Sequence, residues 1–156
     1  MEKISEKRGS VVKDMKKEQE RELIKLALEA RERAYAPYSD FAVGAALLSK
    51  SGEIFQGCNV ENISYSATNC AERTAIFKAV SEGQLQFEGI AVAGGKKGSA
   101  PEDFCMPCAV CLQVMSEFCS PEFEVIVVKS EEEVRRFALR DLLPFVFDSL
   151  RKEARP

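Results

Sequence analysis

Apolar residues recur at helical spacing near the start of the chain. Between residues 14 and 34 charged residues fill most other positions, while one stripe carries Leu23, Leu26, Ala27, Ala30 and Ala34. This spacing is typical of an amphipathic helix that lies on a hydrophobic core. The pattern therefore predicts a helix over residues 14–34, which ends before Pro37. Residues 1–13 are expected to form a flexible segment ahead of one domain that spans residues 14–156.

Two apolar stretches of strand length follow this helix. FAVGAALLS and EIFQGCNV flank Ser51 and Gly52, which form a turn signal, so a β-hairpin is predicted. Helical spacing then predicts two more helices, from Cys70 to Glu82 and from Pro107 to about Phe118.

Two further short apolar stretches are predicted strands, IAVAG at residues 90–94 and FEVIVV at residues 123–128. The stretch EEEVRRFALRDLLP, residues 131–144, is ambiguous. It contains either a capped helix or a strand followed by a short helix.

The predicted elements follow the order helix, strand, strand, helix, strand, helix, strand. Two segments that each run from a strand through a helix to another strand favour parallel pairing, whereas the hairpin is antiparallel. The chain is therefore expected to have an α/β fold in which helices cover both faces of a mixed sheet. Each central helix starts after a loop that leaves the sheet. Both amino termini can therefore lie at one edge, where ligand sites of α/β folds usually occur.

Composition narrows the class of protein. The 156 residues suit one domain, and 46% hydrophobic with 30% charged residues is typical of a soluble protein. The net charge of −3 argues against nucleic acid as a partner, because non-specific binding to it needs a basic face. Apolar runs are too short to span a membrane, and the charged amino terminus lacks the apolar core of a secretory signal. A cytoplasmic location is therefore expected.

Six cysteines and no histidine restrict the metal chemistry. Cys70 stands at the start of one central helix, while Cys108 and Cys111 share a face at the start of the other. Helix amino termini favour thiolates, so three thiolates can converge on one zinc ion. Three protein ligands plus a water is the arrangement of a catalytic zinc site, and Glu72 would lie near that water.

The same cysteines also permit a structural metal. Adding Cys70 or Cys119 to the CxxCxxC of residues 105–111 gives four thiolates, enough for a closed zinc site or an iron–sulfur cluster. The bacterial cluster motif needs a cysteine at position 115, which is Met115 here. A binding module with a structural metal is therefore the alternative to an enzyme.

CAER at residues 70–73 and PCAVC at residues 107–111, preceded by FAVGAAL and GCNVEN, closely resemble motifs of the cytidine deaminases of the small homotetrameric type. The match runs from about Tyr35 through Phe147. This resemblance implies a three-layer α/β/α fold with a mixed five-stranded sheet, and one Zn²⁺ per subunit. It also implies hydrolytic deamination of cytidine and deoxycytidine by a zinc-activated water, in pyrimidine salvage. A homotetramer with sites near subunit interfaces is implied as well.

The resemblance assigns chemical roles to five residues. Cys70, Cys108 and Cys111 match the zinc ligands. Glu72 matches the residue that carries protons to N3 of cytosine and to the departing ammonia. Arg73 matches an arginine that hydrogen-bonds the thiolates and offsets their negative charge.

Other matched positions concern the nucleoside. Asn59 and Glu61 match a pair that hydrogen-bonds the sugar hydroxyls. Phe41 matches an aromatic residue beside the pyrimidine, and backbone atoms of Ala71 match contacts to the base edge. Residues that family members contribute across subunit interfaces are matched by Tyr65 and Phe147.

Two positions depart from the family pattern PCGxCRQ. Ala109 replaces the glycine, and Leu112 replaces the arginine, which removes a positive charge near the metal. The zinc site is expected to survive, because an alanine at a helix start is sterically mild.

Two enzymatic alternatives stay open. A deaminase of nucleotides or nucleic acid is disfavoured, because such relatives commonly use a histidine as the first ligand and this chain has none. A deaminase of a blasticidin-type antibiotic nucleoside is the other, although NVEN favours a plain sugar contact.

Overall fold

The computed structural model of the chain describes residues 15–148. Residues 1–13, which the sequence predicts to be flexible, lie outside the described residues, as do residues 149–156. The helices are α1 (Lys17–Ala30), α2 (Ala71–Ser81), α3 (Ala109–Phe118) and α4 (Leu139–Leu142). The strands are β1 (Phe41–Ser49), β2 (Ile54–Cys58), β3 (Phe87–Lys96), β4 (Glu124–Val128) and β5 (Val134–Ala138). None of these helices combines the length and the apolar character that a membrane span requires.

Within the described residues, five strands form one mixed sheet in the order β2-β1-β3-β4-β5. β3 and β4 pair in parallel, and every other neighbouring pair is antiparallel. The mixed sheet is therefore confirmed. β2 and β3 run in the same direction but do not pair, because β1 lies between them, with Gly44 opposite Cys58 on one side and Ala93 on the other. The connection through α3 thus joins two paired parallel strands, β3 and β4. The connection through α2 joins β2 and β3, which are not paired.

Helix α1 lies against one face of the sheet. Ala46 and Leu48 of β1 pack there with Leu23, Ile24 and Ala27 of α1, and all five side chains are buried. The buried face of α1 is the apolar stripe that the sequence pattern indicates.

Helices α2 and α3 lie against the opposite face. Ala45 and Leu47 of β1 pack there with Ala75 and Ile76 of α2 and with Met115 of α3. Successive side chains of a strand point to opposite faces, so β1 contributes to both cores. This is why nearly every residue of β1 is apolar. The three-layer α/β/α fold implied by the resemblance is therefore confirmed.

Helix α2 approaches β2 at a glycine. A Cβ atom at Gly57 would lie 2.4 Å from the carbonyl oxygen of Ala71 and 2.5 Å from the amide nitrogen of Ala75. A larger residue would push the helix away from the sheet. Gly57 therefore lets the first turn of α2, which follows Cys70 and carries Glu72, lie directly on the strand.

Helix boundaries differ from the predicted ones by a few residues. α1 ends at Ala30 and continues as a tighter 3-10 turn, Arg31–Arg33, in place of α-helix through residue 34. α3 starts at Ala109 instead of Pro107, because Cys108 has an extended backbone with φ −73° and ψ 162°.

Strand β3 extends beyond IAVAG at both ends, since its pairing with β1 continues from Phe41 opposite Lys96 to Ser49 opposite Phe87. The ambiguous residues 131–144 contain β5 followed by the single turn α4. The second of the two interpretations of that stretch is therefore correct.

Candidate active site

Cysteines precede both central helices. Cys70 is the N-cap of α2 and Cys108 is the N-cap of α3, and both have extended backbone. Neither sulfur makes the capping hydrogen bond that serine or aspartate makes at this position. Cys111 follows in the first turn of α3 and is buried. Unpaired N–H groups at helix starts favour negative charge nearby, which suits thiolates.

The three sulfur atoms lie close together although they come from separate parts of the sequence. Cys70 Sγ is 3.9 Å from Cys108 Sγ, which is 3.6 Å from Cys111 Sγ, and all three lie within 4.8 Å of one another. Sulfurs bound to tetrahedral zinc at about 2.3 Å would be about 3.8 Å apart. The donor set and its spacing therefore fit one zinc ion per subunit.

A closed site of four thiolates would need a fourth cysteine in this group. From residue 15 to residue 148, no other cysteine or carboxylate joins the three sulfurs as a further candidate ligand. Cys105 packs beside Gly94 of β3, where an added Cβ atom would lie 2.7 Å from its sulfur. Cys119 is buried in the core under α3. The arrangement therefore favours a three-ligand site over a closed structural one.

Glu72 is a buried carboxyl beside the sulfurs. It is 3% exposed, and Cys111 Sγ donates a hydrogen bond to Glu72 Oε2 at 3.7 Å. Burial raises the pKa of Glu72 to about 7. A carboxyl with a pKa near neutrality can both accept and release a proton at physiological pH. The site therefore contains a carboxyl suited to proton transfer that is not one of the three candidate ligands.

Arg73 brings positive charge to the sulfurs. Its Nη2 atom donates a hydrogen bond to Cys70 Sγ at 3.2 Å. The pKa of Cys70 falls to about 5, chiefly because of a hydrogen-bond interaction with Cys111 and further because of Arg73. The same hydrogen bond, together with burial, raises the pKa of Cys111. Three thiolates on Zn²⁺ leave a net negative charge, which a neighbouring guanidinium offsets.

Asn59 joins the segment after β2 to the start of β1. Its Nδ2 atom donates to the carbonyl oxygen of Phe41 at 2.8 Å, and its Oδ1 atom accepts from the N–H of Val43 at 2.8 Å. Asn59 is also 8% exposed, so these bonds are shielded from water. The structure thereby brings together Phe41 and Asn59, two residues predicted to bind the nucleoside.

Glu61 is held by the loop ahead of β1. Its carboxylate accepts hydrogen bonds from the N–H groups of Tyr38 and Ser39 at 2.9 Å and 3.1 Å, and from the Ser39 hydroxyl at 2.5 Å. The Ser39 hydroxyl is the main reason that the pKa of Glu61 lies below its ordinary value. Sequence reasoning does not identify Tyr38 or Ser39. The available signal is Pro37, which predicts a turn. The N–H groups of the residues in that turn need an acceptor.

Phe41 and Ala71 lie at the starts of their elements. Ala71 is the first residue of α2 and is fully buried, next to Cys70. Phe41 is the first residue of β1 and is 41% exposed. It lines a cavity of about 280 Å³, together with Phe104 and Cys105 from the loop between β3 and α3.

Tyr65 and Phe147 lie at the surface. Tyr65 is 76% exposed and meets the ring of Tyr38 edge to face, with 5.9 Å between ring centroids. Phe147 is 66% exposed, and its carbonyl oxygen accepts a hydrogen bond from Gln113. Both aromatic rings are therefore accessible to a second chain.

The two departures from the family pattern fit the local structure. Ala109 is exposed as the first residue of α3, so its methyl group crowds nothing in the core. The N–H of Leu112 donates to the carbonyl oxygen of Cys108 at 3.0 Å, which is a regular helical bond. The Leu112 side chain is buried in the core with α2 and α3. Position 112 therefore contributes packing here instead of charge.

Comparison with known proteins agrees with this fold and site. Residues 17–128 match the cytidine and deoxycytidylate deaminase zinc-binding region. A cytidine deaminase of Halalkalibacterium halodurans is 47% identical over 125 residues, which cover 80% of this chain and 91% of that protein. The crystal structure of a cytidine deaminase from Burkholderia pseudomallei superposes with a TM-score of 0.74 at 47% identity, covering 81% of this chain and 97% of the other. A blasticidin-S deaminase of Bacillus cereus is 29% identical over 134 residues, which cover 83% of this chain and 93% of that protein.

The fold and the three cysteines define a zinc-dependent hydrolase. The chain belongs to the cytidine and deoxycytidylate deaminase family, since the matching region spans most of it. The resemblance carried by CAER and PCAVC is thereby confirmed, and so is one zinc ion per subunit. Identity to the blasticidin-S deaminase is lower over a similar length, so the antibiotic nucleoside is the weaker alternative.

Proposed function

We propose that this chain deaminates cytidine and deoxycytidine hydrolytically to uridine and deoxyuridine, as a cytoplasmic enzyme of pyrimidine salvage. The observation that carries the proposal is the group of three sulfurs at zinc spacing with Glu72 beside it. Family membership and 47% identity to a protein named cytidine deaminase support the choice of substrate. We also propose that residues 14–156 act as a single domain.

In this proposal Cys70, Cys108 and Cys111 hold the metal. Zinc held there would supply a water acidic enough at neutral pH for attack on C4 of the pyrimidine. Glu72 accepts a proton from that water and donates it to N3, because its buried carboxyl has a pKa near neutrality. Glu72 then takes the second proton of the same water to the amino group, which leaves as ammonia. Arg73 contributes to ionisation of the Cys70 sulfur through its hydrogen bond.

Four residues bind the nucleoside in this proposal. Glu61 accepts hydrogen bonds from the sugar hydroxyls, and its lowered pKa keeps it ionised. Asn59 assists at the sugar and fixes the backbone at Phe41, whose ring packs beside the pyrimidine. The backbone of Ala71, at the start of α2, meets the base edge next to the metal ligands.

We propose a homotetramer whose sites lie near subunit interfaces. Tyr65 and Phe147 would then contribute to sites of neighbouring subunits. Support comes from exposed apolar surface, since Ile63 and Phe145 are also 81% and 95% exposed, and such surface often marks an interface. Light scattering on the zinc-loaded chain should give the mass of four chains. A monomer at micromolar concentration would contradict the tetramer.

The substrate is tested by an absorbance assay of cytidine loss, with ammonia release measured in parallel. Deoxycytidine, cytidine monophosphate and blasticidin S serve as alternative substrates. We expect the two nucleosides to give the highest kcat/KM. A zinc-loaded protein that converts none of these four compounds would contradict the proposed enzyme. If the monophosphate or blasticidin S gave a higher kcat/KM than cytidine, that compound would be the substrate instead of cytidine.

Cys105→Ser separates the enzyme from a binding module with a structural metal. Cys105 is outside the group of three sulfurs, so the proposed enzyme should keep its full zinc content and its fold. A structural site that includes Cys105 predicts loss of metal and unfolding instead. Zinc content by atomic absorption and the melting temperature decide between them.

A further inference from the structure

Arg31 is a buried cation that the proposed chemistry does not use. It lies in the 3-10 turn after α1, and only 5% of its surface is exposed. Among residues 15–148 it forms no ion pair with a carboxylate. Burial lowers the pKa of Arg31, although Glu32 and Cys105 act in the opposite direction. A buried cation of this kind is stable only if polar groups replace its hydration.

Backbone carbonyls replace that hydration. Arg31 Nε donates to the carbonyl oxygen of Ala42 at 3.1 Å. Its Nη2 atom donates to the carbonyl oxygens of Lys96 at 3.3 Å and Ser99 at 3.0 Å. Ala42 follows Phe41 in β1, Lys96 ends β3, and Ser99 belongs to the loop between β3 and α3. One side chain therefore ties two strand ends to this loop.

The tied segments supply the residues that line the cavity at Phe41. Phe41, residues 94–96 of β3 and residues 102–105 of the loop line this cavity of about 280 Å³. The loop then continues to Cys108, a candidate zinc ligand. Arg31 therefore links both strand ends to the loop that supplies the other lining residues.

Gly95 shows how closely these segments meet. A Cβ atom at Gly95 would lie 2.9 Å from Pro101 Cα and 3.1 Å from Arg31 Nη2. The strand, the guanidinium and the loop backbone therefore touch at a position that has no space for a side chain.

We infer that Arg31 is a positioning residue for the nucleoside pocket, which holds the loop of residues 97–105 against the ends of β1 and β3. The kinetic part of this inference rests on the proposed function. The hydrogen bonds of Arg31 go to Lys96, which lines the cavity, and to Ala42 and Ser99 in the segments that supply the other lining residues, and not to Glu72 or the sulfurs. Its loss should therefore weaken substrate binding more than it slows the chemical step.

Three variants test the inference in the zinc-loaded full chain. Arg31→Met removes all donors at similar length, and Arg31→Lys keeps the charge. Arg33→Met is the matched control, because Arg33 is an exposed cation in the same turn. We expect Arg31→Met to raise KM for cytidine by about tenfold while kcat changes by about threefold or less. Arg31→Lys should recover part of the loss, since one ammonium cannot reach all three carbonyls, and Arg33→Met should match the wild type.

Hydrogen–deuterium exchange gives a readout that does not depend on activity. The amides of Lys97 and Ser99 donate to the carbonyl oxygens of Asp40 and Lys96, so they report on the attachment of the loop. Arg31→Met should speed their exchange, whereas β4 should keep its protection. An inactive wild type would overturn the proposed function and leave exchange to decide the role of Arg31.

Unchanged exchange together with unchanged KM would overturn the inference, and so would a loss of zinc and kcat at constant KM. If Arg31→Met does not fold, Gly95→Ala takes its place. The added methyl group would clash with Pro101 of the loop and with the Arg31 guanidinium. Gly95→Ala should therefore also raise KM and speed the amide exchange of Lys97 and Ser99. A Gly95→Ala protein with wild-type KM and exchange would then overturn the inference.

Discussion

The three sulfurs and the hydrogen-bonded loop around Glu61 are two parts of the proposed site, and they are held together differently. Cys70 and Cys108 come within 3.9 Å, and their thiolates need a cation to balance their charge. Glu61, by contrast, already accepts three hydrogen bonds from Tyr38 and Ser39. The first region depends on a metal, whereas the second is organised by the chain alone. Changes to the first should therefore act on metal content and turnover, and changes to the second on substrate binding.

The largest effect is expected from Cys111→Ala. This change removes a buried sulfur and leaves two thiolates, which hold zinc much more weakly than three. Zinc content after gel filtration should fall close to zero, and deamination should be lost with it. Cys119→Ala is the matched control, because Cys119 is also buried but lies outside the group of three. Full zinc in the Cys111→Ala protein would show that the sulfurs are not the ligands.

Glu72→Gln should separate turnover from metal binding. Glutamine keeps the size of the side chain but cannot carry a proton, so kcat should fall by about 10²–10⁴-fold. Zinc content should stay at the wild-type level, since Glu72 is outside the candidate ligand group. Exposed Glu82, at the end of the same helix, gives the control Glu82→Gln. Wild-type kcat in Glu72→Gln would remove Glu72 from the mechanism.

Glu61→Gln should act on the second region. It removes the charge that organises Tyr38 and Ser39 and that would accept from the sugar hydroxyls. KM for cytidine should rise by about tenfold, because the carboxylate would accept hydrogen bonds from the sugar. Zinc content and kcat should change little. The control is Glu88→Gln, an exposed residue near the start of β3. A collapse of kcat at constant KM would place Glu61 in the chemistry instead.

Ser39→Ala should give the smallest effect, which is seen in the pH dependence. The Ser39 hydroxyl lowers the pKa of Glu61, so the carboxylate remains charged to a lower pH than an ordinary glutamate. The contribution of the Glu61 carboxylate to substrate binding is fully present above the ordinary pKa of glutamate. It is lost as the pH falls through the lowered pKa of Glu61. Ser39→Ala raises that pKa, so the acidic limb of 1/KM should move to higher pH. At pH 7 we expect a change in KM of about twofold or less, because two backbone donors remain.

The elements and the metal ligands could be predicted because their signals are local. The helix starts at Cys70 and Cys108 follow from apolar spacing and from the loops before them, and the i,i+3 spacing places Cys108 and Cys111 on one helix face. That Cys70 joins them follows from the α/β order of elements, which places both helix starts at one edge of the sheet. The order of the strands could not be predicted in full. The insertion of β1 between β2 and β3 is decided by packing of distant segments.

Residues that act through distant backbone groups escape a local pattern. Ser39 and Arg31 find their partners at Glu61 and at three carbonyls, none of which is implied by the neighbouring sequence. Arg31 nevertheless has a weak signal. It stands four residues after Ala27 and thus extends the apolar stripe of α1, where a charged residue is unusual.

Cys70 and Cys108 come before the first turns of their helices, so the carboxyl end of each helix lies downstream of the metal ligands. An α-helix grows by adding residues at its end, and such additions leave the orientation of its first turn unchanged. The exposed turn at Gly83, after α2, is therefore a suitable place to insert an affinity tag or a fluorescent label. A protein labelled there should be detectable among other proteins and should keep its catalytic activity.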